Sequence, residues 1–160
     1  IDEFVKSHNE IDPSRVYVGG CSNGGYMTVN MLIEYPDYFA AAYPICEAYP
    51  DAKIDDAKLA ALAKNNIWFT QAQNDGTVNP AECDVATVAR LEALGANVKF
   101  NFPADVHDET GLYFMRDEAG NLTDLPYQYD GHWSWLYVLN NTIVDENGVS
   151  IMQWLASQHK

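Results

Sequence analysis

Positive charge is what this 160-residue chain has least of: nine Lys and Arg stand against 23 Asp and Glu, for a formal net charge of −14. Such a field repels a nucleic-acid backbone or an anionic membrane surface, so neither is expected as a partner, and a neutral or cationic substrate fits better. Cysteine is also scarce, with only Cys21, Cys46 and Cys83. Three are too few for a disulfide-built scaffold, and an odd number leaves at least one thiol unpaired within the chain. The positions permit a single Cys46–Cys83 bridge and equally two buried thiols. No CxxC or CxxH spacing points to zinc, and no metal or cofactor is expected. Long apolar runs are missing as well, none approaching the roughly 18 residues of a membrane span. Asn121-Leu122-Thr123 and Asn140-Asn141-Thr142 fit the glycosylation pattern. Such triplets are too common to set a compartment, although a secreted or cell-surface setting is favoured over a cytoplasmic one.

What the chain does have is 48% hydrophobic residues, enough for the core of one domain. Ile1 to Glu10 reads as helix, and Asp12-Pro13-Ser14-Arg15 as the turn into a strand that starts at Val16. Further strands are predicted over 40–45, 67–72 and 98–102. Helices are predicted between them: Tyr26 to Tyr35 ended by Pro36, with Met27 and Met31 as packing residues; 51–65; and one opened by Asn79-Pro80-Ala81-Glu82 as cap and capping box, closed by Gly95. Strands alternating with helices of this length call for a parallel sheet covered on both faces. From Ala104 the rhythm changes. Leu112–Arg116 and Leu125–Tyr129 flank Asp117-Glu118-Ala119-Gly120-Asn121 as a surface β-hairpin, and Val149 to Gln158 closes the chain as an amphipathic helix.

Chemistry enters at Val16-Tyr17-Val18-Gly19-Gly20-Cys21-Ser22-Asn23-Gly24-Gly25-Tyr26-Met27. This is Gly-x-Ser-x-Gly between a strand and a helix, the setting in which the motif has mechanical meaning. A serine at the apex of so tight a turn sits on strained backbone, and its neighbours two places away must lack side chains. The N–H of Asn23, at the start of the helix, would favour a developing oxyanion.

A serine hydroxyl needs a base to take its proton and a carboxylate to orient that base. Asp75 directly follows a strand, on the edge where open α/β sheets place ligands. Asp84 is its rival but falls inside a predicted helix. Of the four histidines, His8 and His159 lie in terminal polar segments. His107 follows the fourth strand; His132, in Gly131-His132-Trp133-Ser134-Trp135, follows the hairpin beside two indoles that could exclude water. His132 is favoured as base, with His107 as the alternative. Glu47, just past the second strand, could face the site and position substrate, or be a solvated loop residue.

The serine motif, the Asn74-Asp75-Gly76-Thr77-Val78-Asn79-Pro80 loop and the Gly131–Trp135 segment together resemble the carboxyl-terminal half of an α/β-hydrolase. Among these the chain is most similar to prolyl-oligopeptidase-like esterases, the group with feruloyl esterases and polyhydroxybutyrate depolymerases. The resemblance implies a partial α/β-hydrolase fold: a mostly parallel sheet flanked by helices, with a β-hairpin inserted before the final helix. It implies Ser22 as nucleophile, Asp75 as acid, His132 as base and the Asn23 N–H as one oxyanion donor, hydrolysing a small-molecule or polysaccharide-linked carboxylic ester through an acyl-enzyme. It also implies strands and an oxyanion loop ahead of the nucleophile. Residues 1–160 are therefore expected to form the carboxyl-terminal part of one domain, completed by an amino-terminal segment of the same polypeptide. Two alternatives stand beside the esterase. One is a serine peptidase of prolyl-oligopeptidase type, which uses the same triad. The other is an inactive module in which Tyr113, Tyr127, Tyr129, Trp133 and Trp135 stack on a sugar or phenolic ring.

Overall fold

The computed structural model describes residues 1–160. Its centre is a four-stranded parallel sheet in the order β1-β2-β3-β4, made of β1 (Tyr17–Cys21), β2 (Ala41–Ile45), β3 (Ile67–Thr70) and β4 (Val98–Asn101). Alternation along the strands divides the core in two. Ala42, Ile67 and Phe69 face a layer built by Val29, Leu32, Leu59, Leu62, Val88 and Leu91. Ala41, Ile45 and Trp68 face Tyr137, Val138, Ile151, Trp154 and Leu155 on the other side. The first layer belongs to α2 (Asn23–Glu34), α3 (Asp56–Leu62) and α4 (Asp84–Ala93), the second to α5 (Trp135–Leu139) and α6 (Ile151–Ser157). Burial on both faces is why β2 and β3 read as unbroken apolar runs.

A short amino-terminal helix, α1 (Asp2–Ser7), and a two-stranded antiparallel hairpin of β5 (Phe114–Arg116) and β6 (Leu122–Pro126) complete the elements. The hairpin sits where the sequence places it, although its second strand starts earlier, at Leu122. The last helix carries a reciprocal capping box between Ser150 and Gln153.

Three local expectations are corrected, and one element is added. The helix over 51–65 is broken: Asp51–Lys53 form a single 3-10 turn, Ile54 is extended and buried, and Asp55 caps α3 by accepting the Lys58 N–H at 2.9 Å. Asn79 does not cap α4. Its side chain serves a turn, accepting from Ala81 N–H at 3.1 Å, while the Glu82 carbonyl is taken by Asp51 N–H at 2.8 Å. The helical ladder therefore begins at Cys83, whose carbonyl accepts from Thr87 N–H at 3.1 Å. Met27 is 47% exposed rather than packed, whereas Met31 does lie against the core. The segment after His132 contains α5, a helix its aromatic run does not announce.

Candidate active site

Ser22 is the residue between β1 and α2, and its backbone has φ 56° and ψ −115°, a conformation that costs a non-glycine residue on the order of 1–3 kcal/mol. The turn is held because Ser22 N–H donates to the Ile45 carbonyl at 2.9 Å and the Ser22 carbonyl accepts from Tyr26 N–H at 2.9 Å. Small residues are required at Gly20 and Gly25: a Cβ on the first would lie 2.8 Å from the Gly24 carbonyl carbon, and one on the second 2.7 Å from Glu47 Cβ. A Cβ on Gly24 would meet nothing, so the close approach falls one residue beyond the motif's last glycine.

The three residues singled out for nucleophile, acid and base meet at the carboxyl edge of the sheet. His132 Nε2 lies 2.9 Å from Ser22 Oγ, and His132 Nδ1 lies 2.9 Å from Asp75 Oδ2. His132 lies in a 3-10 turn capped by Asp130, which accepts its N–H at 2.8 Å. Gly131 lets this turn reach the acid loop, because a Cβ there would overlap the Asn74 side chain and main chain. Gly131→Ala is accordingly expected to cost about 1–3 kcal/mol of stability and to displace the imidazole, read by denaturant titration alongside ester turnover.

The Asp75 side chain is fully buried. Burial by itself raises a carboxyl pKa, yet the donors around it outweigh that penalty and hold Asp75 below its ordinary value. They are His132, the N–H groups of Val78 at 2.9 Å and Thr77 at 2.8 Å, and Gln71 Nε2 at 3.2 Å. Gln71, buried beside Asp75, is a residue that the sequence analysis passed over; an amide near the end of the predicted 67–72 strand was the available signal.

The remaining candidates separate. His107 does not reach Ser22; its Nδ1 pairs with Asp105 at 2.7 Å and lies 3.2 Å from the Tyr137 hydroxyl. His159 meets Arg15 at 3.1 Å, and His8 stacks on Phe4. Asp84 is fully buried at the start of α4 and makes no bond to a histidine. Glu47 is neither solvated nor presented to a substrate: it is completely buried behind the elbow. Asn23 opens α2, where main-chain N–H groups have no acceptor within the helix. Trp133 is 45% exposed, stacks between Tyr129 at 6.1 Å and Trp135 at 6.0 Å, and Trp135 meets the His132 ring edge-on at 5.6 Å.

All three cysteines are free thiols, so Cys46 and Cys83 are buried but not bridged. Cys46 Sγ, an Asp75 oxygen and a His132 nitrogen lie within 4.8 Å of one another, close enough to consider a metal ion. Burial pushes the Cys46 thiol up to about 12. Asp75 and His132, moreover, already satisfy each other.

A parallel sheet with a serine on a strand-to-helix elbow, and with acid and imidazole on loops beyond later strands, defines the α/β-hydrolase class. The chain belongs to the prolyl oligopeptidase family, whose model matches residues 1–82, and is thereby a member of a serine hydrolase family. It is similar to the crystal structure of a thermostable esterase, with 26% identity, a TM-score of 0.70 and 99% of this chain covered. It also resembles poly(3-hydroxyalkanoate) depolymerase C of Paucimonas lemoignei, 56% identical over 41 residues, which is 26% of this chain. The acylaminoacyl peptidase of Pyrococcus horikoshii shares the fold at a TM-score of 0.54 and 16% identity over 64% of this chain. The chain spans 35% of the esterase, 10% of the depolymerase and 21% of the peptidase.

Proposed function

We propose that this protein hydrolyses carboxylic esters through an acyl-enzyme, with Ser22 as nucleophile, His132 as general base and Asp75 as its orienting acid. The observation that carries the reading is the unbroken contact from Ser22 Oγ through the imidazole to Asp75, with 2.9 Å at each step. With Nδ1–H donated to the buried carboxylate, Nε2 is left unprotonated toward the serine hydroxyl, the tautomer a base requires. As Ser22 Oγ attacks the ester carbonyl, its proton passes to Nε2, and Asp75 stabilises the imidazolium. The tetrahedral oxyanion is received by the Asn23 N–H. Collapse expels the alcohol, which takes the proton from Nε2. Water then repeats the sequence on the acyl-enzyme and frees the acid.

The open edge of β1, paired on one side only, supports a further part of the proposal: strands and a second oxyanion donor come from residues outside this stretch. Trp133 and Trp135, stacked on each other beside the His132 ring, are the proposed substrate-binding aromatics. The net charge of −14 favours a neutral ester, whether a small molecule or one carried on a polysaccharide.

Peptide cleavage is the second reading, favoured by the family to which the chain belongs. Matched p-nitrophenyl esters and p-nitroanilides of one acyl group separate the two. The ester is expected to turn over at least about tenfold faster relative to its uncatalysed rate; equal or greater acceleration of the anilide would overturn the esterase reading. Labelling by a fluorophosphonate is expected at Ser22, and its failure would leave a binding module instead. His107→Gln is expected to keep ester turnover within about threefold, since that ring serves Asp105 and Tyr137 rather than the serine.

A further inference from the structure

Residues flanking the hairpin, together with α5, line a cleft that takes no part in the chemistry above. It has a volume of about 580 Å³, within the range of small-ligand sites, and none of Ser22, Asp75 and His132 lines it. Local hydrogen bonds build it. Asp108, past the end of β4, folds the loop to Tyr113 around its carboxylate, which accepts from the Thr110 hydroxyl at 2.8 Å, Gly111 N–H at 2.8 Å and Leu112 N–H at 3.2 Å. Main-chain bonds then align this loop with the segment beyond β6. Asp108 N–H donates to the Tyr127 carbonyl at 2.8 Å, Tyr127 N–H to the Tyr113 carbonyl at 3.0 Å, and Tyr129 N–H to the Val106 carbonyl at 2.8 Å. Tyr113, Tyr127 and Tyr129 are thereby gathered on one cleft, with the buried ring of Tyr137 also lining it.

Shape and charge decide what such a cleft accepts. Tyr113 and Tyr127 are 59% and 44% exposed, so their rings are open to a ligand. The Tyr127 and Tyr129 rings meet at 4.9 Å and 64°, which makes a corner rather than the level platform on which a flat sugar or phenolic ring would lie. The acids in the lining are Asp108, buried, and Glu109, exposed, while Asp105 nearby pairs with His107 at 2.7 Å. No Lys or Arg lines the cleft. The two that follow β4 in the chain are engaged elsewhere: Arg116 donates to the Gly120 carbonyl at 2.7 Å and Lys160 to the Tyr38 carbonyl at 2.9 Å. An anion would meet uncompensated carboxylates there. A cation is attracted twice, by those charges and by the negative faces of the rings.

We propose that this cleft binds an organic cation of the substituted-ammonium class, seated against Tyr113, Tyr127 and Tyr129 with Asp108 and Glu109 as counter-charges. A methylated ammonium is rounded enough for a corner of rings and sheds water more readily than a primary amine. The net charge of −14 adds a long-range pull. Desolvation, followed by the Asp108 charge and the phenols of Tyr113 and Tyr127, raises Tyr129 above its ordinary value, in keeping with acid and rings sharing one space. Through Tyr129, which stacks on Trp133 at 6.1 Å, the cleft adjoins the indole pair beside His132 while staying separate from the triad. The site does not depend on the esterase reading.

Choline chloride is the probe and 3,3-dimethylbutanol its uncharged isostere, each titrated into the parent chain by calorimetry and followed by aromatic side-chain NMR. Choline is expected to bind saturably and at least about tenfold more tightly than the alcohol, since each ring face adds attraction for the charge alone. Added sodium chloride should weaken choline and leave the alcohol unchanged. Tyr113→Leu and Tyr127→Leu should each lower choline affinity by about two- to fivefold, whereas Tyr127→Phe, which keeps the ring, should stay within about twofold. Glu109→Gln should weaken choline without affecting the alcohol. Both tyrosines and Glu109 are exposed, so these variants leave the core intact, which circular dichroism checks. Binding of the alcohol as tight as that of choline would overturn the proposal in favour of a neutral-ligand cleft. Parental choline affinity in both leucine variants would place the cation elsewhere and overturn it equally. Choline binding that fails to saturate by about 100 mM would remove the site altogether.

Discussion

Ser22→Ala should lower ester turnover by about 10⁴-fold or more and abolish fluorophosphonate labelling, with the fold and the His132–Asp75 contact retained. The size follows from the chemistry. Without an alkoxide equivalent the acyl-enzyme cannot form, and only binding and oxyanion stabilisation remain to act on water. Stability should move the other way for a second substitution at the same position. Because Ser22 sits at φ 56°, Ala keeps the backbone penalty, whereas Gly removes it. Ser22→Gly is expected to be more stable than Ser22→Ala by about 1 kcal/mol in denaturant titration, and equally inactive. A serine variant with parental turnover would end the assignment of the nucleophile.

The second large effect is expected at Asp75. Asp75→Asn should reduce turnover by about 10⁴-fold with little change in substrate affinity, because the amide can donate to Nδ1 and so present the wrong nitrogen to Ser22. The parallel Asp84→Asn variant, expected to stay within about threefold, supplies the contrast between a carboxylate that must be ionised and one that is sealed away. Asp75 also carries a pH signature. Burial opposes ionisation of Asp75, but the bonds from His132, Val78, Thr77 and Gln71 prevail and its folded value lies below the unfolded one. Its contribution is present above the ordinary carboxylate range and is lost only as pH falls through that lowered value. Acid titration of stability should therefore show a loss below pH ~4 in the parent that is smaller in Asp75→Asn. Parental turnover in Asp75→Asn would place the acid elsewhere.

Much of the architecture was legible because its signals are local. The glycines around Ser22, the apolar runs of β2 and β3, the turn at Asp117–Asn121 and the spacing of Ile151, Trp154 and Leu155 each point to one conformation, and neighbouring signals agree. The helix start at Asn79 misled for a definite reason. Asn-Pro-Ala-Glu is a sound capping sequence, but the Glu82 carbonyl that would have joined the ladder is claimed by Asp51, a residue 31 positions earlier. Local preference lost to a long-range hydrogen bond.

Residue types and order along the chain by themselves determined that a serine stands on a strand-to-helix turn, that an aspartate follows a later strand, and that a histidine among indoles comes after both. They could not decide between His132 and His107, or set Glu47 in water or in the core. Those outcomes depend on which loops the sheet brings together. The Gly131 turn carries His132 to 2.9 Å from Ser22, while His107 is held by Asp105 and Tyr137. Helix α2, closing over Gly25, takes Glu47 out of solvent. Distance in space and access to water are properties of the packed chain, and no window of sequence contains them.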